Sequence, residues 1–237
     1  MSKFYNTVYE KIAESQTLQA IWRKAYGPDY LEGAFYSAIT KSELEYVSSW
    51  LELTAGHTLV DVGCGMGAAG IEIAKQTGCS LIGIDTSDVA IQIAQTRARG
   101  IRAEYKVADI ANTSLPTHSA DAVICIDVLQ MLPNLVDSLT EIKRILKPGY
   151  PCAFTAWEIP HLKPDYRPVL ESAGFTILAY NEPLNWREPQ ALVFQQILNQ
   201  ATVLAEELGE VCASFLSEAH AVLATIDQLR RIIAVVK

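Results

Sequence analysis

A chain of 237 residues, half of them apolar, holds enough hydrophobic material for a sizeable core and too much for a disordered segment. Its formal net charge of −8 argues against a nucleic-acid partner, since Arg97-Ala98-Arg99 and Arg230-Arg231 are too short to offset phosphate repulsion. No run approaches the ~18 apolar residues of a membrane span, and Met1-Ser2-Lys3-Phe4-Tyr5-Asn6 carries no secretory core, so a cytoplasmic protein without membrane association is expected.

Val8, Ile12, Ala13, Leu18, Ile21 and Trp22 recur at helical spacing until Gly27-Pro28 breaks the pattern. Ser42-Glu43-Leu44-Glu45 opens another helix, with Leu44, Val47, Trp50 and Leu51 on its apolar face. Eight aromatics (Phe4, Tyr5, Tyr9, Trp22, Tyr26, Tyr30, Phe35, Tyr36) crowd this leading segment. Aromatics at helical spacing usually fill a core, but this many also suit a pocket for a flat apolar ligand. From 57 to 182 strand and helix patterns alternate, with strands predicted near 58–62, 81–85, 102–107, 121–126, 150–157 and 175–180. Such alternation demands parallel strands, right-handed crossovers and helices on both faces, with ligands beyond the carboxyl ends of the strands. Glu188 to Leu208 and Glu210 to Leu229 read as two long helices broken at Gly209, and Arg231 to Val236 as a closing strand.

The most informative stretch is Leu59-Val60-Asp61-Val62-Gly63-Cys64-Gly65-Met66-Gly67-Ala68-Ala69-Gly70: a buried strand ending in an acid, a glycine loop, then a helix start. Glycines there let a ligand approach the backbone closely. Two cofactor classes use the device. Gly65, Gly67 and Gly70 satisfy the dinucleotide pattern G-x-G-x-x-G, with Asp85 at the spacing of a ribose-binding acid. Asp61-x-Gly63-x-Gly65-x-Gly67 resembles the first motif of the class I S-adenosylmethionine (SAM) dependent methyltransferases.

Three later motifs extend that second resemblance. Ser80-Leu81-Ile82-Gly83-Ile84-Asp85 is an apolar strand ending in an acid, followed by Thr86; Val107-Ala108-Asp109-Ile110 supplies a third acid. Asp121 to Leu129 looks like the family's fourth strand, and Glu141 to Gly149, ending Leu-Lys-Pro-Gly, like the helix and turn before its fifth. The resemblance implies a Rossmann-like, seven-stranded, mostly parallel sheet, with an antiparallel last strand inserted between the fifth and sixth. It implies an N-terminal helical cap over 1–56, a SAM-binding core over 57–182, a helical insertion over 183–229 serving as a lid, and the last strand at 230–237. The apolar face of the insertion could instead serve a dimer, so both monomer and homodimer stay open.

By the same resemblance, Asp61, Gly63, Cys64, Gly65, Gly67, Asp85, Thr86, Asp109, Ile110 and Ile126 are the cofactor-binding candidates, with S-adenosylhomocysteine (SAH) as product. Asp85 would accept from the ribose hydroxyls, Asp109 from the adenine amino group, and Ile110 would pack on the ring. Trp22, Tyr26, Tyr36, Gln130, Trp157 and Trp186 are the candidates for binding a small molecule, such as a natural-product intermediate. A hydroxyl acceptor would need a base. His161, after the fifth strand, is the best placed histidine for that role. Many relatives carry a histidine just after the fourth strand; Gln130 and Met131 stand there instead, leaving room for N- or C-methylation. The five cysteines are scattered and odd in number, reading as free thiols with no metal-ligand spacing. An NAD-dependent oxidoreductase and a non-catalytic SAM-binding module remain as alternatives.

Overall fold

The computed structural model describes residues 2–159 and 165–237. The leading segment forms α1 (Ser2–Glu14), α2 (Gln16–Tyr26) and α3 (Lys41–Leu51). The single helical pattern read from the sequence is in fact divided at Ser15. Its hydroxyl accepts from Leu18 N at 3.1 Å, capping α2 and turning the chain. Thr40 and Glu43 close a capping box at the start of α3.

The alternating section gives β1 (Thr58–Val62), α4 (Ala68–Thr77), β2 (Ser80–Asp85), α5 (Asp88–Arg97), β3 (Ala103–Val107), β4 (Ala122–Ile126), α6 (Leu135–Ile145), β5 (Cys152–Glu158), α7 (Arg167–Ser172) and β6 (Ile177–Asn181). Every strand lies within two residues of its predicted position. The insertion forms α8 (Arg187–Asn199), α9 (Ala201–Leu208) and α10 (Cys212–Thr225), and β7 (Arg230–Val236) follows. The break at Gly209 is present; a second one at Gln200, without a glycine, divides the first predicted helix.

The described strands form a seven-stranded sheet in the order β3-β2-β1-β4-β5-β7-β6, with β7 antiparallel to both neighbours. Side-chain alternation sends Leu59, Ile124, Ala153 and Ile233 to one face, against α3, α4 and α5. Val60, Val123, Phe154 and Ile232 go to the other, against α6 and α7. Strands covered on both faces become continuous apolar runs, which is why they were legible.

A third apolar cluster lies above the carboxyl ends of the strands. Val8 and Ile12 of α1, Leu18, Ile21 and Trp22 of α2, Val193 and Ile197 of α8, and Leu204, Leu208 and Phe215 further on pack together there. The apolar face of the insertion is therefore largely used within the chain, against the N-terminal helices. Among the described residues, no helix is long and apolar enough to cross a membrane.

Candidate functional site

A cavity of about 450 Å³ opens between the strand ends and this helical layer, a volume in the range of small-molecule sites. Its floor is the loop after β1. The amides of Gly63 and Cys64 both donate to Ile84 O of β2, at 2.7 and 3.0 Å, which hangs the loop on the neighbouring strand. Gly65 adopts φ +50°, and a Cβ there would meet the Tyr9 hydroxyl at 2.9 Å. Gly70 is tight for another reason: a Cβ would fall 2.7 Å from Asp61 Oδ2.

Acids from successive strands face this floor. Asp85 accepts from Gly65 N at 2.8 Å and from Ser87 N at 2.9 Å, one bond per oxygen. Burial nevertheless raises its pKa against the opposing pull of those amides. Asp61 accepts from Gly70 N at 3.2 Å. Burial pushes its carboxyl up to about 7, Gly70 opposing and the Asp85 charge assisting. Asp109, exposed, accepts from Ala111 N at 2.8 Å, and Ile110 beside it is buried. Asp61, Gly63, Cys64, Gly65, Asp85, Thr86, Asp109, Ile110 and Ile126 all line the cavity. Gly67 does not; at φ +80° it is the N-cap of α4, donating to Cys64 O at 2.8 Å, and it shapes the loop from behind.

The opposite end is aromatic, lined by Tyr5, Tyr9, Phe35 and Tyr36, with Met131, Leu132 and Pro133 below β4. Tyr36 sits in the left-handed region at φ 67°, strain that a non-glycine residue keeps only where its surroundings hold it. They do. Phe215 of α10 meets its ring edge-on at 5.7 Å, and the next two residues are anchored to Asp127. Ser37 Oγ donates to that carboxylate at 2.7 Å and Ala38 N at 2.8 Å. Thr155 Oγ1 adds a third bond at 2.7 Å, and the Arg231 guanidinium a fourth. Burial would raise the Asp127 pKa, but Arg231 and the two hydroxyls hold it below the usual carboxylate range. Arg231, fully buried on β7, also binds Glu43 of α3 at 2.9 Å. A Glu43–Arg231–Asp127 ion triad thus fixes the aromatic end of the cavity to the sheet.

Five of the substrate candidates are placed away from the cavity. Trp22 is packed in the helical cluster, its indole donating to Ser37 O at 3.3 Å. Tyr26 donates to Gln190 and, with Trp186, lines a separate cleft beside α3. Gln130 is spent on local backbone, donating to Asp127 O at 2.8 Å and accepting from Trp157 N at 3.4 Å. Trp157 and Trp186 satisfy each other, edge-to-face at 4.9 Å. In each case the side chain has found an internal partner, which helical or strand spacing cannot reveal. His161 lies outside the described residues.

The cavity also uses residues outside the substrate candidates, although Tyr5, Tyr9 and Phe35 are among the leading aromatics suited to a pocket. Tyr5 and Tyr9 stand four apart on α1 and so share a face, a readable signal. Asp127 closing an all-apolar strand, and Arg231 within another, were charges that burial obliges to find partners.

Among the described residues, then, the fold is a Rossmann-like sheet with an antiparallel last strand, and the glycine loop and acids converge at its carboxyl edge. Residues 59–149 match the family described as a methyltransferase domain. The matched stretch contains the motifs that carry the resemblance to the class I SAM-dependent methyltransferases. Over 119 residues it is 35% identical to the sterol 24-C-methyltransferase ERG6A of Gibberella zeae, covering 48% of this chain and 31% of that one. A sterol 24-C-methyltransferase of Yarrowia lipolytica is 27% identical over 148 residues, covering 59% of this chain and 39% of the relative. The chain thus spans roughly a third of the length of these relatives. Among solved structures, the cyclase SpnF superposes with a TM-score of 0.76 at 20% identity, covering 93% of this chain and 92% of that one. Phosphoethanolamine N-methyltransferase 2 of Haemonchus contortus, in complex with SAM, gives 0.73 at 16% identity, covering 98% and 59%. That a cyclase shares the fold makes the site, and not the fold, the ground for assigning an activity.

Proposed function

We propose that the chain moves a methyl group from SAM to a small molecule enclosed between the strand ends and the helical layer, leaving SAH. The observation that carries this reading is that one cavity runs from the glycine loop, Asp85 and Asp109 to the aromatic end at Tyr5, Tyr9 and Tyr36. The residues fit the cofactor: the loop presents backbone where a side chain at Gly65 would collide with Tyr9. Asp85 would accept from the ribose diol with the lone pairs that Gly65 and Ser87 leave free, and Thr86 would flank it. Asp109 would accept from the adenine amino group, with Ile110 and Ile126 packing on the ligand. Asp61, Gly63, Cys64 and Gly65 would enclose the methionine portion.

When bound, SAM supplies a methyl already activated by its positive sulfur. What remains for the chain is to hold the acceptor at near-attack distance and keep water out. The helices of 1–56 and 183–229 would serve as the lid. Gln130 and Met131 stand where many relatives carry a histidine after the fourth strand, which favours a nitrogen or carbon acceptor over a hydroxyl needing a base. Should the acceptor be a hydroxyl, His161 is the residue to test.

An NAD-dependent oxidoreductase would share Gly65, Gly67, Gly70 and Asp85, but the antiparallel β7 between β5 and β6 lies outside the doubly wound dinucleotide pattern. Calorimetry should find binding of SAM and SAH and none of NADH. The reverse result would overturn the reading, while SAM binding without SAH formation across a broad acceptor panel would leave a non-catalytic SAM-binding module.

A further inference from the structure

Two walls of the cavity are joined behind it by a single cation. Gly63, Cys64, Gly65 and Met66 form the glycine-loop wall, and Gly33, Ala34, Phe35 and Tyr36 form part of the aromatic wall. Arg97, the last residue of α5, does not line the cavity, yet its guanidinium reaches both walls from outside. Nη1 donates to Met66 O at 3.0 Å and to Gly33 O at 3.3 Å, and Nη2 donates to Glu32 O at 2.7 Å. A rigid planar fork with several donors can hold two stretches of backbone at a fixed separation, where a lysine would offer a single mobile ammonium.

Gly33 is fitted to this contact. At φ +81° it lies in the region that favours glycine, and a Cβ there would fall 1.8 Å from Arg97 Nη2. Residues 31–39 form turns and neither helix nor strand. Around Gly33 their own bonds are local: Ala34 N donates to Leu31 O at 3.0 Å, and Gly33 N to the Tyr30 hydroxyl at 3.4 Å. Such a segment has little stability of its own and takes its position from what it is tied to. Met66, by contrast, follows Gly65, whose amide is fixed on Asp85 at 2.8 Å. The guanidinium therefore carries order from the braced loop to the turn.

Resting on the methyl-transfer reading, we propose that Arg97 is a positioning residue that couples the two walls. A cofactor that immobilises the glycine loop also sets the turn at 32–36, so the acceptor meets a wall that the cofactor has completed. The part of Arg97 is mechanical: a charged donor bonds backbone carbonyls more strongly than a neutral one does. By linkage, whatever orders 32–36 tightens cofactor binding by the same factor.

Hydrogen exchange read by mass spectrometry on the full chain, with and without saturating SAH, tests the coupling. In the unmodified protein SAH should slow exchange about fivefold or more both at 63–67 and at 31–39. Arg97→Met should keep the SAH effect at 63–67, where Ile84 and Asp85 still brace the loop, and lose it at 31–39. Gly33→Ala leaves Arg97 in the chain but displaces its guanidinium, and it should act in the same way. If Arg97→Met does not fold, Gly33→Ala and the unmodified protein decide the matter. An SAH effect at 31–39 that survives in the variants would overturn the proposal, since an arginine with a merely structural role raises exchange there equally with and without SAH. So would its absence from the unmodified chain while 63–67 is protected. No SAH effect at 63–67 in the unmodified chain would instead strike the methyl-transfer reading, and this inference with it.

Discussion

The glycine-loop end of the cavity is made from a short continuous stretch of backbone, while its aromatic end is made from side chains that meet only in three dimensions. At the first, residues 61–70 supply both the acid and the amide-bearing turn, and Ile84 and Asp85 of the adjacent strand brace them. At the second, Tyr36 is held by Phe215 from far along the chain. Asp127 beneath it gathers Ser37 and Ala38, Thr155, and Arg231 from three separate places. A backbone cradle suits a cofactor whose shape is constant, and a side-chain wall can be altered for a new acceptor without disturbing it.

The largest effect is expected where the aromatic end is tied down. Arg231→Met leaves Glu43 and Asp127 buried without their cation, a loss of about 3–5 kcal/mol of stability by urea denaturation. The folded fraction should still bind SAH, because the loop after β1 makes no use of the triad. A loss under ~1 kcal/mol would mean that apolar packing alone holds residues 36–38 in place.

Asp85→Ala tests the other end. Removing a charged acceptor from the ribose should weaken SAM binding by about 1.5–3 kcal/mol in calorimetry. Unchanged affinity in the folded variant would put the ribose elsewhere.

Asp61 makes a prediction in pH. Its folded pKa of about 7 lies above the unfolded value of about 3.9. The folded state therefore binds the extra proton, and Asp61 lowers stability as pH rises from the unfolded value towards the folded one. A cationic ligand favours the ionised carboxyl and releases that proton. SAM affinity should consequently rise by up to about tenfold between about pH 6 and 8. The uncharged thioether of SAH should give a shallower slope, and Asp61→Asn should flatten the SAM profile. A flat profile for the unmodified chain would separate Asp61 from the sulfonium.

The smallest effect is expected at Asp109, which is exposed. Its replacement by alanine should cost about 1 kcal/mol of SAM affinity. An analogue lacking the adenine amino group should bind the two proteins equally.

The sheet and the glycine-loop end of the cavity were legible in the sequence because their determinants are local. Strands covered on both faces must be apolar runs, a turn with glycines at 63, 65 and 67 needs backbone that other residues resist, and acids at strand ends project where parallel topology puts the ligand. Breaks at Ser15 and Gln200 were harder to see, since neither uses glycine or proline and the helical pattern continues across both.

Which aromatics enter the cavity was decided by tertiary structure alone. Trp22, Tyr26, Trp157 and Trp186 have the same chemical character as Tyr5, Tyr9 and Tyr36, but each found a partner inside the protein, leaving the tyrosines to face the void. Likewise Glu43, Asp127 and Arg231 are three separate charges in the sequence. Only when α3, the end of β4 and β7 converge do they become one ion-paired cluster, because a buried charge is tolerable only where a counter-charge or hydrogen bonds are buried beside it.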